Sequence, residues 1–243
     1  MKILLCILLL PLAAFLLYVL VLFLYSLTVD QTKPIEKPSP FCRSAINFLL
    51  PVFLFLCGVK VKLQGLEKLP EEERFVFVCN HRSLFDPVTA LYSLRAYEPA
   101  FLSKPSNLRI PLVGGIVYGV GCLPIDRENN RQALKDLLQG ADYVKKGFCS
   151  MGIYPEGTRS KGTELLDFHA GSFKLAQRAG VGLAILATDG TEKVRKNVLR
   201  RRTQVSLAVL EYLPAEQVSA MHTDELARYS RERIAAYLRG EGE

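Results

Sequence analysis

The stretch "FVFVCNHRSLFDP", Phe75–Pro87, decides the reading of this chain. Its first four residues are apolar and of strand type, and they run into a polar turn that holds His81 and Asp86 before closing on Asp-Pro. Asp86 suits a helix N-cap and Pro87 a first helical residue, so the segment predicts a strand, a loop and a helix. In a regular helix, residues i and i+5 are turned about 500° apart and lie on different faces. The histidine and the aspartate therefore meet only if the chain bends between them. With the bend, the carboxylate reaches one imidazole nitrogen and fixes the tautomer, leaving the other nitrogen to accept a proton as a general base. Taken alone, the segment also fits a plain helix cap beside an ordinary loop histidine.

Working outward, further short apolar runs at Cys122–Ile125, Cys149–Tyr154, Leu183–Ala187 and Val205–Leu210 alternate with helix-like stretches. This alternation predicts an α/β domain. Asn130–Lys146 reads as an amphipathic helix, with Ala133, Leu134, Leu137, Leu138, Ala141 and Val144 inward and Lys135, Asp136 and Gln139 outward. Thr223–Leu238 reads as another, with Thr223, Asp224 and Glu225 at its start. Two turns follow strands: "YPEGTRS", Tyr154–Ser160, and "GCLPIDRENN", Gly121–Asn130. Open α/β sheets build their sites at the carboxyl ends of strands, where Arg159 offers a planar fork of donors and Arg127 and Lys104 are further cations for an anion. Each turn by itself also fits a surface Glu–Arg or Asp–Arg pair.

The 243 residues, 49% of them hydrophobic, allow one substantial core or one domain with a membrane attachment. The balance of 31 Lys+Arg against 24 Asp+Glu suits anionic lipid, a phosphorylated substrate or an acidic carrier protein. Nucleic acid is a poor partner, because no basic and aromatic platform is evident. Six scattered cysteines without a C-x-x-C pair predict neither zinc site nor disulfide framework. With three histidines there is no H-E-x-x-H metal site, and G-x-S-x-G is absent too. A histidine base without its own nucleophile implies that a substrate hydroxyl attacks directly. The run Lys193, Arg195, Lys196, Arg200, Arg201 and Arg202 fits a solvated face, an anionic membrane or an acyl carrier protein.

Residues 1–30 read as an uncleaved membrane anchor: Ile3–Leu27 carries no charge and as a helix reaches roughly 37 Å, enough for a hydrocarbon core of roughly 30 Å. Lys33, Lys37, Arg43, Lys60 and Lys62 follow it and only Lys2 precedes it, which predicts a cytoplasmic position for the rest. Residues 31–40, with Pro34, Pro38 and Pro40, read as a short stiff linker. Residues 41–59 read as a second, interfacial helix, too short to span comfortably, kinked at Pro51 and presenting Phe48, Phe53 and Phe55. A core helix is the alternative there. Residues 60–243 form the predicted cytoplasmic α/β domain.

Taken together, "NHRSLFD", "GCLPIDR" and "YPEGTRS", in that order, resemble the motifs of the glycerolipid acyltransferase family, and most closely its lysophosphatidic acid acyltransferases. "LSKPSNLRIPLVGG" resembles the family's lysine-bearing segment between the first two motifs, and the likeness covers roughly Lys60–Ala187. The resemblance implies a mixed sheet flanked by helices, with N-terminal membrane-associated helices. It implies His81 as base and Asp86 as its orienting partner, with Lys104, Arg127 and Arg159 on the acceptor's phosphate and Glu156, Gly157 and Thr158 shaping the acceptor site. The reaction implied is acyl transfer from acyl-CoA or acyl-carrier protein to a lysophospholipid hydroxyl, with membrane lipid as partner and neither metal nor bound cofactor. The family's fourth motif is an apolar strand with a proline; "LAILATDG" has none, so contacts to the acyl donor stay unassigned. Pro124 stands where the second motif often has an aromatic or aliphatic residue. Transfer to another lysophospholipid or to glycerol-3-phosphate, hydrolysis, and a catalytically inactive scaffold are the competing readings.

Overall fold

A computed structural model describes residues 2–126, 128–160, 162, 164–198 and 202–241. Arg127, Arg200 and Arg201 lie outside the described residues. Among the described residues there are seven strands: β1 (Val59–Gln64), β2 (Val76–Cys79), β3 (Pro99–Ser103), β4 (Leu123–Pro124), β5 (Ser150–Ile153), β6 (Leu183–Asp189) and β7 (Thr203–Leu213). They form one sheet in the order β1-β7-β6-β2-β5-β3-β4. Around it lie α1 (Lys2–Thr28), α2 (Pro40–Leu56), α3 (Phe85–Ser93), α4 (Pro105–Leu108), α5 (Val113–Gly119), α6 (Asn130–Lys145), α7 (Lys174–Ala179), α8 (Thr191–Asn197), α9 (Ala215–Ala220) and α10 (Thr223–Leu238).

Strands β6, β2, β5, β3 and β4 are mutually parallel, so their carboxyl ends share one edge. That edge collects the turns after Cys79, Ser103, Pro124, Ile153 and Asp189. The central strands β2 and β5 are buried along their whole length, as strands covered on both faces must be. At Gly152 a side chain would collide with Phe77 and Phe101 on the neighbouring strands, so glycine lets these two rings pack over β5. On the far side β7 runs antiparallel to β6, and β1 pairs in parallel with β7.

Several expectations need adjusting. The run at Cys122–Ile125 shortens to a two-residue strand, because Pro124 has no N–H with which to extend the ladder. Asp136 of α6 is buried, not outward, and accepts bonds from the Asp126 backbone N–H (3.2 Å) and the Gln132 amide (2.7 Å). Leu134 and Leu138 are conversely exposed. Helix α2 runs through Pro51 without ending and is capped by the Ser39 hydroxyl.

Arg43, counted above among the cations flanking the anchor, points inward. Its guanidinium donates to the carbonyls of Pro99 (2.9 Å), Glu98 (3.1 Å) and Val120 (3.2 Å) and so fastens α2 to the sheet. The proline-rich segment is likewise held against the domain: the Tyr143 hydroxyl accepts from the Ile35 N–H at 2.7 Å, and the Tyr118 hydroxyl donates to the Lys33 carbonyl at 2.6 Å. Helix α1 is mostly exposed, and its Leu9–Thr28 part is long and apolar enough to cross a membrane. Near its end it seats Leu22 in the core and packs Ser26 closely on Gly115 of α5.

Candidate active site

The turn after β2 brings His81 and Asp86 together, with Nδ1 and Oδ2 2.9 Å apart. The bend differs in detail from a capped helix. Helix α3 begins at Phe85, so Asp86 sits inside its first turn, neither N-cap nor followed by a first helical residue at Pro87. Its carboxylate instead reaches back over the loop, and Oδ2 also accepts the backbone N–H groups of Arg82 (2.7 Å) and Ser83 (2.6 Å). Asp86 is fully buried while the His81 side chain keeps 18% of its surface exposed. A buried carboxylate survives only when its lone pairs are filled, and these donors serve Oδ2. With Nδ1–H committed to Asp86, Nε2 is the nitrogen left for chemistry. Among the described residues it has no hydrogen-bond partner.

The loop is fixed from the β5 side as well. The Glu156 carboxylate accepts the His81 N–H at 2.6 Å and the Leu166 N–H at 3.0 Å, and the Ser160 N–H donates to the His81 carbonyl at 2.9 Å. Burial pushes the Glu156 carboxyl above the ordinary glutamate range, and the two N–H donors offset part of that rise. Glu156 thus grips the backbone of the histidine. Gly157, at φ +72°, makes the turn that carries the chain on to Thr158 and Arg159. Those two residues and Lys104 are exposed. Lys104 follows β3, the strand beside β5, so it and Arg159 stand at neighbouring strand ends. Neither makes an ion pair among the described residues.

Tyr154 stacks on the His81 ring, with centroids 4.2 Å apart, and also on Phe101. Burial and the nearby Asp86 push its hydroxyl well above the usual tyrosine range, so it stays protonated. Tyr154 also lines a cavity of about 560 Å³, together with Ile125, Ala133, Leu134, Leu137 and Ile153. Gly157, His169 and Lys174 contribute to its wall. A mostly apolar space of this size next to a histidine is the form of a small-molecule site.

Sequence reasoning missed Thr188 and Thr191, whose hydroxyls donate to Asp86 Oδ1 from the end of β6 and the start of α8. The signal available was their position: polar residues closing an apolar strand at the same sheet edge, beside a carboxylate that needs more donors than one imidazole.

A histidine bonded to a buried carboxylate, with cations at neighbouring strand ends, gives this α/β fold the arrangement of an enzyme site. An acyltransferase family profile matches residues 60–187, and the chain belongs to that family. It is 32% identical to a 1-acyl-sn-glycerol-3-phosphate acyltransferase of Escherichia coli (strain K12), over 75% of this chain and 73% of that one. It is also 32% identical to one of Chlamydomonas reinhardtii, over 74% of this chain but 53% of the relative, so it spans about half of that longer protein. The crystal structure of the 1-acyl-sn-glycerophosphate acyltransferase of Thermotoga maritima shares the fold, with a TM-score of 0.67 over 82% of this chain and 78% of that one at 23% identity.

Proposed function

We propose that this protein transfers a fatty acyl group from an acyl thioester to the free hydroxyl of lysophosphatidic acid, yielding phosphatidic acid for phospholipid synthesis. The observation that carries the reading is the His81–Asp86 pair, set in a rigid corner at the same sheet edge as Lys104 and Arg159. The acceptor hydroxyl attacks the thioester carbonyl carbon while His81 Nε2 takes its proton, since the alcohol is far less acidic than imidazolium. The tetrahedral intermediate expels the sulfur, the imidazolium returns the proton to it, and ester and free thiol result. Asp86 holds the imidazole in the tautomer this needs and stabilises its charged form. Arg159, Lys104 and Arg127 are assigned to the acceptor's phosphate; Gly157 and Thr158 shape the approach, and Glu156 keeps the histidine's backbone in place. The apolar cavity beside Tyr154 takes a hydrocarbon chain.

The reading includes a membrane. Residues 1–30 anchor the chain, the exposed Phe48, Phe53 and Phe55 of residues 41–59 rest in the interface, and residues 60–243 work at the cytoplasmic face, with residues 31–40 joining the two. Both acceptor and product partition into bilayer, so an enzyme held there draws its substrate sideways rather than from water.

The test incubates the purified full chain in lipid or detergent with lysophosphatidic acid, other lysophospholipids and glycerol-3-phosphate, using acyl-CoA and acyl-carrier protein in turn, and identifies products by mass. Phosphatidic acid with stoichiometric thiol release is expected. Thioester loss without acceptor marks a hydrolase, product from a different acceptor alone moves the substrate, and no turnover with any pair leaves a scaffold.

A further inference from the structure

The segment "ATDGT", Ala187–Thr191, departs from the pattern its motif resembles, yet it wraps the buried side of Asp86. Thr191 Oγ1 donates to Asp86 Oδ1, with Thr188 Oγ1 at 3.4 Å on the same oxygen. Both threonines are buried, at 0% and 1% exposure, so these bonds have no competition from water. The two segments are also sewn together. The Asn80 side chain donates to the Thr188 carbonyl (2.9 Å) and accepts the Thr188 N–H (2.8 Å), and the Ser83 hydroxyl donates to the Thr191 carbonyl (3.0 Å). Across them Arg82 pairs with Asp189 (3.2 Å) and Glu192 (3.7 Å).

The two carboxylate oxygens have different neighbours. Oδ2 carries three N–H donors from its own loop, His81 included. Oδ1 depends on hydroxyls from about a hundred residues away, as the separations of 102 and 105 record. Rotation of a carboxylate about its terminal bond is soft, so donors on one oxygen alone leave its plane loosely set. We propose that Thr191, backed by Thr188, is a positioning residue for acyl transfer: its hydroxyl locks the carboxylate plane of Asp86 and thereby the His81 ring. This rests on the reading of His81 as the base.

The test compares Thr191→Val, Thr191→Ala and Thr191→Ser with wild type, each as the full chain in micelles. Valine and alanine remove the hydroxyl; serine keeps it. Loss of a buried hydrogen bond to a charged group predicts a fall in kcat of about 10- to 100-fold for the first two, with KM for lysophosphatidic acid within about twofold, and near-wild-type kcat for serine. The downfield proton resonance of the His81 Nδ1–H moves or broadens in Thr191→Val and Thr191→Ala and returns in Thr191→Ser. Wild-type kcat in folded Thr191→Val, or a lowered kcat with an unmoved resonance, would overturn the proposal. So would failure of both hydroxyl-deleted variants to fold, because the hydroxyl would then be a folding requirement. If wild type acylates nothing, the functional reading fails while the resonance still decides whether Thr191 sets the imidazole.

Discussion

Two neighbouring parts of the sheet edge are built on opposite plans. In the corner at residues 80–86, Asn80, Ser83 and Asp86 are buried, and the corner is bonded to the turn after β5, to β6 and to α8. The cations at Lys104 and Arg159, one or two turns away, are exposed and make no ion pair among the described residues. A proton acceptor must have its geometry fixed before the substrate arrives, since misplacement costs rate directly. The proposed phosphate role of Lys104 and Arg159 gains more by leaving their donors uncommitted until an anion supplies the partner.

The contrast breaks most completely at the histidine. His81→Ala should lower the acyl-transfer rate by at least about a thousand-fold while leaving the protein folded and lipid-associated, checked by a thiol-release assay alongside circular dichroism. Residual transfer at the wild-type rate would remove the base from the mechanism. Arg159→Ala should instead raise KM for lysophosphatidic acid by about 10- to 100-fold with a much smaller change in kcat, the mark of lost ground-state binding. A rise in KM for the acyl donor alone would move Arg159 to the other substrate.

A smaller effect should come from Glu156→Gln. Its amide accepts one backbone N–H but confronts the other with a donor, so kcat should fall about tenfold as the His81 loop loosens. The pH dependence of stability changes too. Folding raises the Glu156 pKa, so the native state holds that proton more tightly and wild-type stability falls as pH climbs from about 4.5 through the folded value; urea titrations across this range should find the slope missing in the glutamine variant. Smallest is Tyr154→Phe. The buried hydroxyl has no partner among the described residues, so its removal should leave kcat near wild type and raise stability by about 1 kcal/mol in urea unfolding.

The sequence made the parallel core legible because β2, β5 and β6 are short, apolar and separated by punctuated turns, and α6 and α10 because their apolar residues keep helical spacing. It left the edges less clear. Strand β1 alternates Val59, Val61 and Leu63 with Lys60, Lys62 and Gln64, but its partner β7 lies far along the chain, and no local pattern announces such a pairing. At the site, the His81–Asp86 contact was readable because five residues of spacing demanded a bend. The threonines behind Asp86, the inward turn of Arg43 and the burial of Asp136 were not, since each depends on which distant carbonyl, N–H or carboxylate the fold brings alongside.

The pairing of β1 with β7 also sets an order of events during synthesis. Helices α1 and α2 emerge before β1, yet the strand that pairs with β1 begins only at Thr203. Until then both edges of β1 are bare, with α2 packed beside it. Closing so long a loop is slow for a free chain. Tethering one end early shortens the search, so the emergence of β7 should decide when the whole sheet becomes cooperative.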